Sequence, residues 1–563
     1  MTPSFASLVV TCLTLVGSAP PAPTGVERSA PPTTMVVSDA EVSAALDLAG
    51  ANRGELERFL GRYDYDGGHA TDVDVEKRDA ARWLVANMPG HGFAVISLET
   101  ADGTVVPFDA TEHRNLADAK AALRTLERER GPLDFRRERF VADVATITAD
   151  QLIGNHELAF ATRRHDAWAA QLDFRSFCEF VLPYRGSEEA LDPRWRAEAT
   201  ELVAPVLASL RGVHGDQEAA PREPELDDVV RAVRKAAKSW VKFRQLYYLH
   251  PTDQNWTEMR TSREGRCEDQ TNMVVFAARA AGVVVADDFT PFWADRDNNH
   301  AWDVALDANG RGSTKLAHRA AKVYRRVYGR QPDAVGGMRE PGERMPSGLA
   351  ANNVLDVTAQ YVPVTDVALT LVPPPGQRFA YLCVFNGGEW RAVAGVIVRD
   401  GAVTFHDVGR DALYLPAWFD GGAMVPAGAP FRLTADGERR AFEESARRGS
   451  IVLATRSPND AQASESTAGD SSGGQTEPTG STTSVPPSGE SASVRVRSAG
   501  TYDVLAWSIE SGAWRTIASV EVTKQASVRV DGVPIDALLW VREAEGERLE
   551  RPFAIDNGHE RRW

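Results

Sequence analysis

The chain has 563 residues, several times an average single core, so its length fits roughly three or four domains. Its composition is that of a globular protein, 43% hydrophobic and 25% charged. A formal charge of −16 argues against a nucleic-acid binder, because phosphate recognition needs a basic surface.

Residues 1–19 hold a short apolar run ending in small side chains, the pattern of a secretory signal cleaved near Ala19, although a basic n-region is missing. Cys12 lies inside the run, and Thr11 before it departs from a lipoprotein cleavage site. No later run approaches the ~18 apolar residues of a membrane-spanning helix. The expected location is therefore extracytoplasmic, secreted or periplasmic. After cleavage only Cys178, Cys267 and Cys383 remain, an odd set that leaves at least one thiol free and does not make a disulfide scaffold. Residues 20–37, rich in Pro, Ala and Thr, read as a tether.

Residues 38–224 read as a mainly helical region. Ser38 and Glu41 have capping-box spacing before Val42, Ala45 and Leu46, and residues 79–88 form a helix stopped by Pro89-Gly90. Residues 93–98 and 104–108 are strand candidates joined at Asp102-Gly103, a hairpin signal. A charged helix spans 116–130. His156-Glu157 begins like a metalloprotease motif, but Phe160 stands where the second ligand belongs, so it is no zinc site. Residues 174–185 are aromatic and apolar and end on Pro183-Tyr184-Arg185, the character of core packing. An acidic, Pro-containing joint at 218–224 leads into a long helix read over 226–249.

Residues 225–330 contain the chemistry. Helical apolar spacing begins at Glu268, with Met273, Phe276, Ala277 and Ala280 on one face and Gly282 as the stop. Cys267 then sits at a helix N-terminus, where unpaired N–H groups favour a thiolate. Residues 283–286 and 289–293 read as two short strands, and His300 opens a third that alternates to Leu306. A helix start packed on that sheet brings Cys267 to the His300 imidazole, the arrangement of a thiol nucleophile and its general base. Residues 315–328 read as a basic helix with a solvated face. From residue 355 to 456 short strands separated by turns suggest a β-sandwich module, and residues 457–491 are too polar to bury a core. Strands resume in a C-terminal module, 492–563, and the polar stretch reads equally as an insertion or a boundary. No metal-ligand cluster, phosphate loop or dinucleotide fingerprint appears, so no cofactor is implied.

Gly265-Arg266-Cys267 with its acidic helix start, the run to Ala280-Ala281-Gly282-Val283, and His300-Ala301-Trp302 resemble the transglutaminase-like superfamily. Gly265 to Glu268 with Asn272 is also similar to the corresponding helix of peptide N-glycanases, a branch of that superfamily. The resemblance covers residues 225–330. More loosely, the phrases from Phe177 to Arg185 and from Tyr381 to Asn386 are similar to those flanking the core in large secreted bacterial members. The resemblance implies a papain-like α+β core with Cys267 as nucleophile and His300 as base. It implies acyl transfer through a thioester, to water or to an amine, on a polypeptide, glycopeptide or peptidoglycan peptide. The family's orienting Asp, about fifteen residues past the histidine by analogy with other triads, has no counterpart here. Asp303 should point away from the His300 face, Asp307 looks like a turn residue, and Ser313 and Thr314 are the remaining nearby candidates. Gln254 and Trp256 are candidate oxyanion donors, though such residues more often serve loops or packing. The rival reading is an inactive scaffold that binds a cell-surface protein or glycan through the β modules, with Trp390, Trp418, Trp507 and Trp514 as sugar platforms if exposed.

Overall fold

In the computed structural model the described residues are 37–65, 70–211, 224–443, 446–455, 491–524, 526–544, 550–556 and 559–563. The expected signal and almost all of the tether, the acidic joint and the polar stretch lie outside them. Helices and strands occur in near-equal measure, the strands in several small sheets, an α+β architecture.

The first helix, α1 (Asp39–Leu48), starts at Ser38, whose hydroxyl accepts from the Glu41 N–H while the Glu41 carboxylate accepts from Ser38. It is followed by α2 (Arg53–Gly61) and α3 (Asp72–Asn87). Strand β1 (Gly92–Thr100) turns at Gly103 as expected, but 104–108 contributes only a single bridge, Glu99 to Val105. Its partner is β2 (Leu133–Ala142), reached across α4 (Leu116–Arg130). The three arginines of β2 hid a strand that exposes most of its side chains. Then come α5 (Ala149–His165), α6 (Ala167–Ala170), α7 (Phe174–Ser176), a π-helical turn over Phe177–Val181, and α8 (Trp195–Leu210).

The helix read over 226–249 stops early. Helix α9 (Leu226–Trp240) is followed by β3 (Lys242–Phe243), which pairs in parallel with β4 (Glu264–Gly265), and by a 3-10 turn over Gln245–Leu249. Helix α10 (Trp256–Ser262) separates them. Helix α11 (Cys267–Ala280) begins two residues after β3's partner Gly265 and is almost wholly buried. It packs on the sheet β6-β5-β7-β8, made of β5 (Val285–Thr290), β6 (His300–Ala305), β7 (Tyr324–Arg326) and β8 (Val354–Asp356). Alternation along β5 decides what each face meets. Val285 joins the core of α8, α9 and α11, whereas Ala286 and Val304 join the core of the N-terminal helices.

Two expectations fail on this sheet. The two short strands read over 283–293 are one strand that runs through Asp287 and Asp288. The basic helix read over 315–328 is extended chain and β7; Lys315 and Arg319 stay exposed, but Lys322, Arg325 and Arg326 are not solvated as a helix face would be. Lys322 and Arg325 are each 2% exposed. Arg325 makes two 2.8 Å bonds to Asp288, Arg326 lies 3.0 Å from Asp287, and Lys322 pairs with Asp356. Carboxylates on neighbouring strands, Asp287 and Asp288 buried and Asp356 exposed, offset the desolvation of these cations, which a charge run alone does not reveal.

The remaining strands form the β modules. One sheet runs β11 (Glu389–Ile397), β10 (Phe379–Asn386), β13 (Ala412–Phe419), β15 (Phe431–Leu433) and β16 (Arg439–Ala441), with β14 (Met424–Pro426) beside β13. The pair β9 (Val364–Thr370) and β12 (Ala402–Gly409) shares a core with it. In the C-terminal module β17 (Arg448–Thr455) pairs with both β18 (Ser491–Val496) and β21 (Val528–Pro534). It faces the sheet of β19 (Gly500–Ser508), β20 (Ala513–Val522), β22 (Leu539–Glu543), β23 (Phe553–Asp556) and β24 (His559–Arg562). Strands β17 and β18, on either side of the polar stretch in sequence, therefore belong to one sheet. Trp390, Trp507 and Trp514 cluster with Phe385 and Trp540 where the modules meet, and Trp418 is buried, so these rings are packing.

His156 of α5 is buried among Phe59, Tyr63 and Phe160 and donates to the Lys77 carbonyl at 3.1 Å, a core residue and not a ligand. His91 donates to the Tyr328 carbonyl at 2.9 Å. Burial pushes His91 down to about 4 and His156 to about 3 from the ordinary 6.5. The unfolded chain therefore takes these protons first, and the stability they hold is full above about 6.5 and lost as pH falls, at roughly 1.4 kcal/mol per unit per site. Urea midpoints should fall from pH 7 to pH 5, and His156→Phe should make that fall shallower.

Candidate active site

The approach to Cys267 is fixed by a buried carboxylate. Asp269, 1% exposed, accepts the Arg266 N–H at 2.8 Å and the Gln254 N–H at 2.9 Å. A Cβ on Gly265 would lie 2.5 Å from the Asp269 Cβ, so only glycine fits there. Arg266 donates to Asp253 at 2.7 Å and to the His250 carbonyl at 3.2 Å. Lys242 and Arg244 donate to the carbonyls of Arg263 and Gly265, each at 2.9 Å, which holds the strand before the cysteine. Cys267 thus occupies the first position of α11, as expected, with its N–H lacking an intrahelical acceptor.

His300 opens β6, and α11 packs against that strand. The backbone of Ala301, next to His300, faces the Cys267 thiol and favours its ionised form. The structure therefore brings the two segments together. It does not join the side chains: the thiol donates to Glu268 Oε2 at 3.1 Å, and among the described residues no hydrogen bond links it to His300. Burial, then the Glu268 carboxylate, pushes the thiol well above its ordinary value, outweighing the helix N-terminus. Burial holds His300 below its ordinary value, with Glu268 opposing. At neutral pH the site rests as thiol and neutral imidazole.

The His300 ring packs beside Trp293 and Trp302, with centroids 5.9 and 5.4 Å away, and the two indoles stack on each other at 6.3 Å. Among the described residues no carboxylate pairs with it. Asp303 points to α9, 2.5 Å from Arg234 and 2.9 Å from Lys238, and Asp307 caps its turn by accepting from Asn309 and Arg311. Ser313 and Thr314 lie in an exposed irregular stretch. Gln254 spends its side chain on the Glu264 carbonyl and Ser262, and Trp256 donates to Glu198 at 2.8 Å in the core. Each side chain thus has a partner other than the thiol.

Several site residues escaped the sequence reading. Glu268, read as a helix-dipole partner, accepts from both Cys267 and Asn299, the latter at 2.7 Å. Tyr248, pushed up to about 12 by burial and then by the Cys267 and Glu268 charges, stands at the rim with 39% exposure. Arg296 donates to His318 at 2.9 Å, and both weigh against a charged His300. Asn299 adjoins the histidine in sequence, but nothing local marks Tyr248 or His318. Cys178 and Cys383 are buried and unpaired in separate cores.

No protein-family model and no curated protein matches the chain.

Glu268 is the group that restrains the thiol. Glu268→Gln removes the negative charge and should speed iodoacetamide labelling of Cys267 at pH 7.5 about tenfold, the equivalent of one pKa unit. Mass mapping should show Cys178 and Cys383 unchanged.

Proposed function

We propose that the chain is an exported, transglutaminase-like cysteine enzyme that performs acyl transfer through a Cys267 thioester on a papain-like core. The observation that carries the reading is the packing of α11 on β6, which sets a nucleophile at a helix start against the strand that begins with His300. The neutral imidazole is in the state that accepts a proton. In the first step the thiol turns from Glu268 to His300 and gives up its proton, and sulfur attacks the acyl carbonyl. The imidazolium then protonates the departing amine, the C–N bond breaks, and a thioester remains. Water or an amine attacks next, with His300 again as base, and the thiol is restored. Hydrolysis of a polypeptide, glycopeptide or peptidoglycan peptide is the favoured outcome for an exported protein.

A second reading has an observation of its own. The thiol bonded to Glu268 and the imidazole without a carboxylate partner suit an inactive scaffold whose β modules hold a cell-surface protein or glycan.

An activated acyl ester separates the two. The enzyme reading expects an acyl adduct on Cys267 by mass spectrometry, followed by turnover, with Cys267→Ala and His300→Ala each slower by roughly 10³. If wild type and Cys267→Ala release product at the same background rate, the scaffold reading takes its place.

A further inference from the structure

The segment from Trp293 to Asn299 carries much of what surrounds His300. It supplies the Trp293 ring, Arg296 on His318, and Asn299 on Glu268. It makes one bridge and one bond to the strand beside it, and Trp293 donates to the Asn298 carbonyl to close the loop. Asn298 takes a left-handed backbone, φ 74°, a conformation that asparagine accommodates.

Asp295 lies 3.7 Å from His318 and faces the Arg319 backbone, and the loop's other polar contacts come from the β modules. Asn386, 3% exposed, ends β10, and its amide nitrogen lies 3.1, 2.9 and 3.0 Å from the carbonyls of Trp293, Arg296 and Asn298. Its amide oxygen accepts the Asn298 N–H at 3.1 Å. Gly387 and Gly388, φ 63° and 81°, form the two-residue turn to β11, and Gly387 donates to Asp297 at 2.9 Å. From the C-terminal module Arg551, 7% exposed, donates to Asp297 at 3.2 Å and to the Ala294 carbonyl at 2.8 Å. It also donates to the carbonyl of the last residue, Trp563. Two buried side chains from two separate modules thus satisfy carbonyls of one short loop, and among the described residues those of Trp293, Ala294 and Arg296 would otherwise be left unpaired.

We propose that Asn386 and Arg551 are positioning residues: they fix the 293–299 loop, and through it the surroundings of His300 and Glu268, so that both β modules are structural parts of the site. The inference rests on the reading above only for the chemistry that the site performs. Loss of either side chain frees the loop, Asn299 releases Glu268, and the thiol opens to solvent.

The test uses the full chain with Asn386→Ala, Asn386→Asp and Arg551→Lys. Tyr414→Phe is the control, since it removes a buried 2.6 Å bond to the Gly409 carbonyl elsewhere in the same module. Amide exchange over residues 293–300 should quicken about tenfold in the first three variants and stay at wild-type rate in the control. The pH profile of Cys267 labelling should shift in the same three variants, a response that loss of general stability does not give. Asn386→Asp keeps the acceptor and loses the donors, so if Asn386→Ala does not fold, it and Arg551→Lys carry the test. Wild-type exchange and profile in those variants, or an equal change in Tyr414→Phe, overturns the proposal. Neither readout needs turnover, so a failure of acyl transfer would remove the enzyme reading and leave this one standing.

Discussion

The site depends on one buried carboxylate. Asp269 lies behind Gly265, takes two backbone N–H bonds from chain segments before it, and so sets where α11 begins. A buried carboxyl accepting backbone donors is held in place from two directions, and a side chain at 265 would push it out. The parallel pairing of β3 with β4 and the Arg266–Asp253 pair then fix the strand that enters the helix. Placing Cys267 at the helix start is a consequence of this packing more than of helix propensity, since the N-cap residue is an arginine without the usual capping oxygen.

Charge is treated differently at two places on the sheet that bears His300. Along β5 and β7 the aspartates and arginines are buried in pairs, and Tyr361 adds a 2.6 Å bond to Asp288. Each pair offsets part of the desolvation of its own members, although burial still pushes Asp287 up to about 7 and raises Asp288, and the paired groups hold the strands in register. Cys267 and His300 have no such partner. Burial outweighs Glu268 at the imidazole and is reinforced by Glu268 at the thiol, and it leaves both neutral. The same low-polarity surroundings therefore make a stiff scaffold where charges are matched and a quiet reactive pair where they are not.

The β modules reach the site through a turn and a tail. The Asn386-Gly387-Gly388 hairpin and Arg551 meet the 293–299 loop from two modules whose cores also touch through a cluster of tryptophans. Such a contact makes the loop's geometry depend on residues that stand far from it in the chain.

Local patterns in the sequence were enough for the parts that short-range physics controls. The Ser38 capping box, the Cys267 helix with its Gly282 stop and the His300 strand are all legible from neighbours within a few residues. So is the outward turn of Asp303, because alternation along a strand fixes it. What failed was whatever a distant partner decides. The basic run over 315–328 looked like a solvated helix because the aspartates that bury it lie on other strands. The end of α9 at Trp240 is set by β3 pairing with Glu264-Gly265, and β2 was hidden because a two-stranded ribbon needs little apolar sequence. The thiol's actual partner, Glu268, stood next to it all along. That carboxylate is held at the sulfur by Arg266, 3.4 Å from the same oxygen, and by Asn299, brought up by the fold from thirty-one residues away.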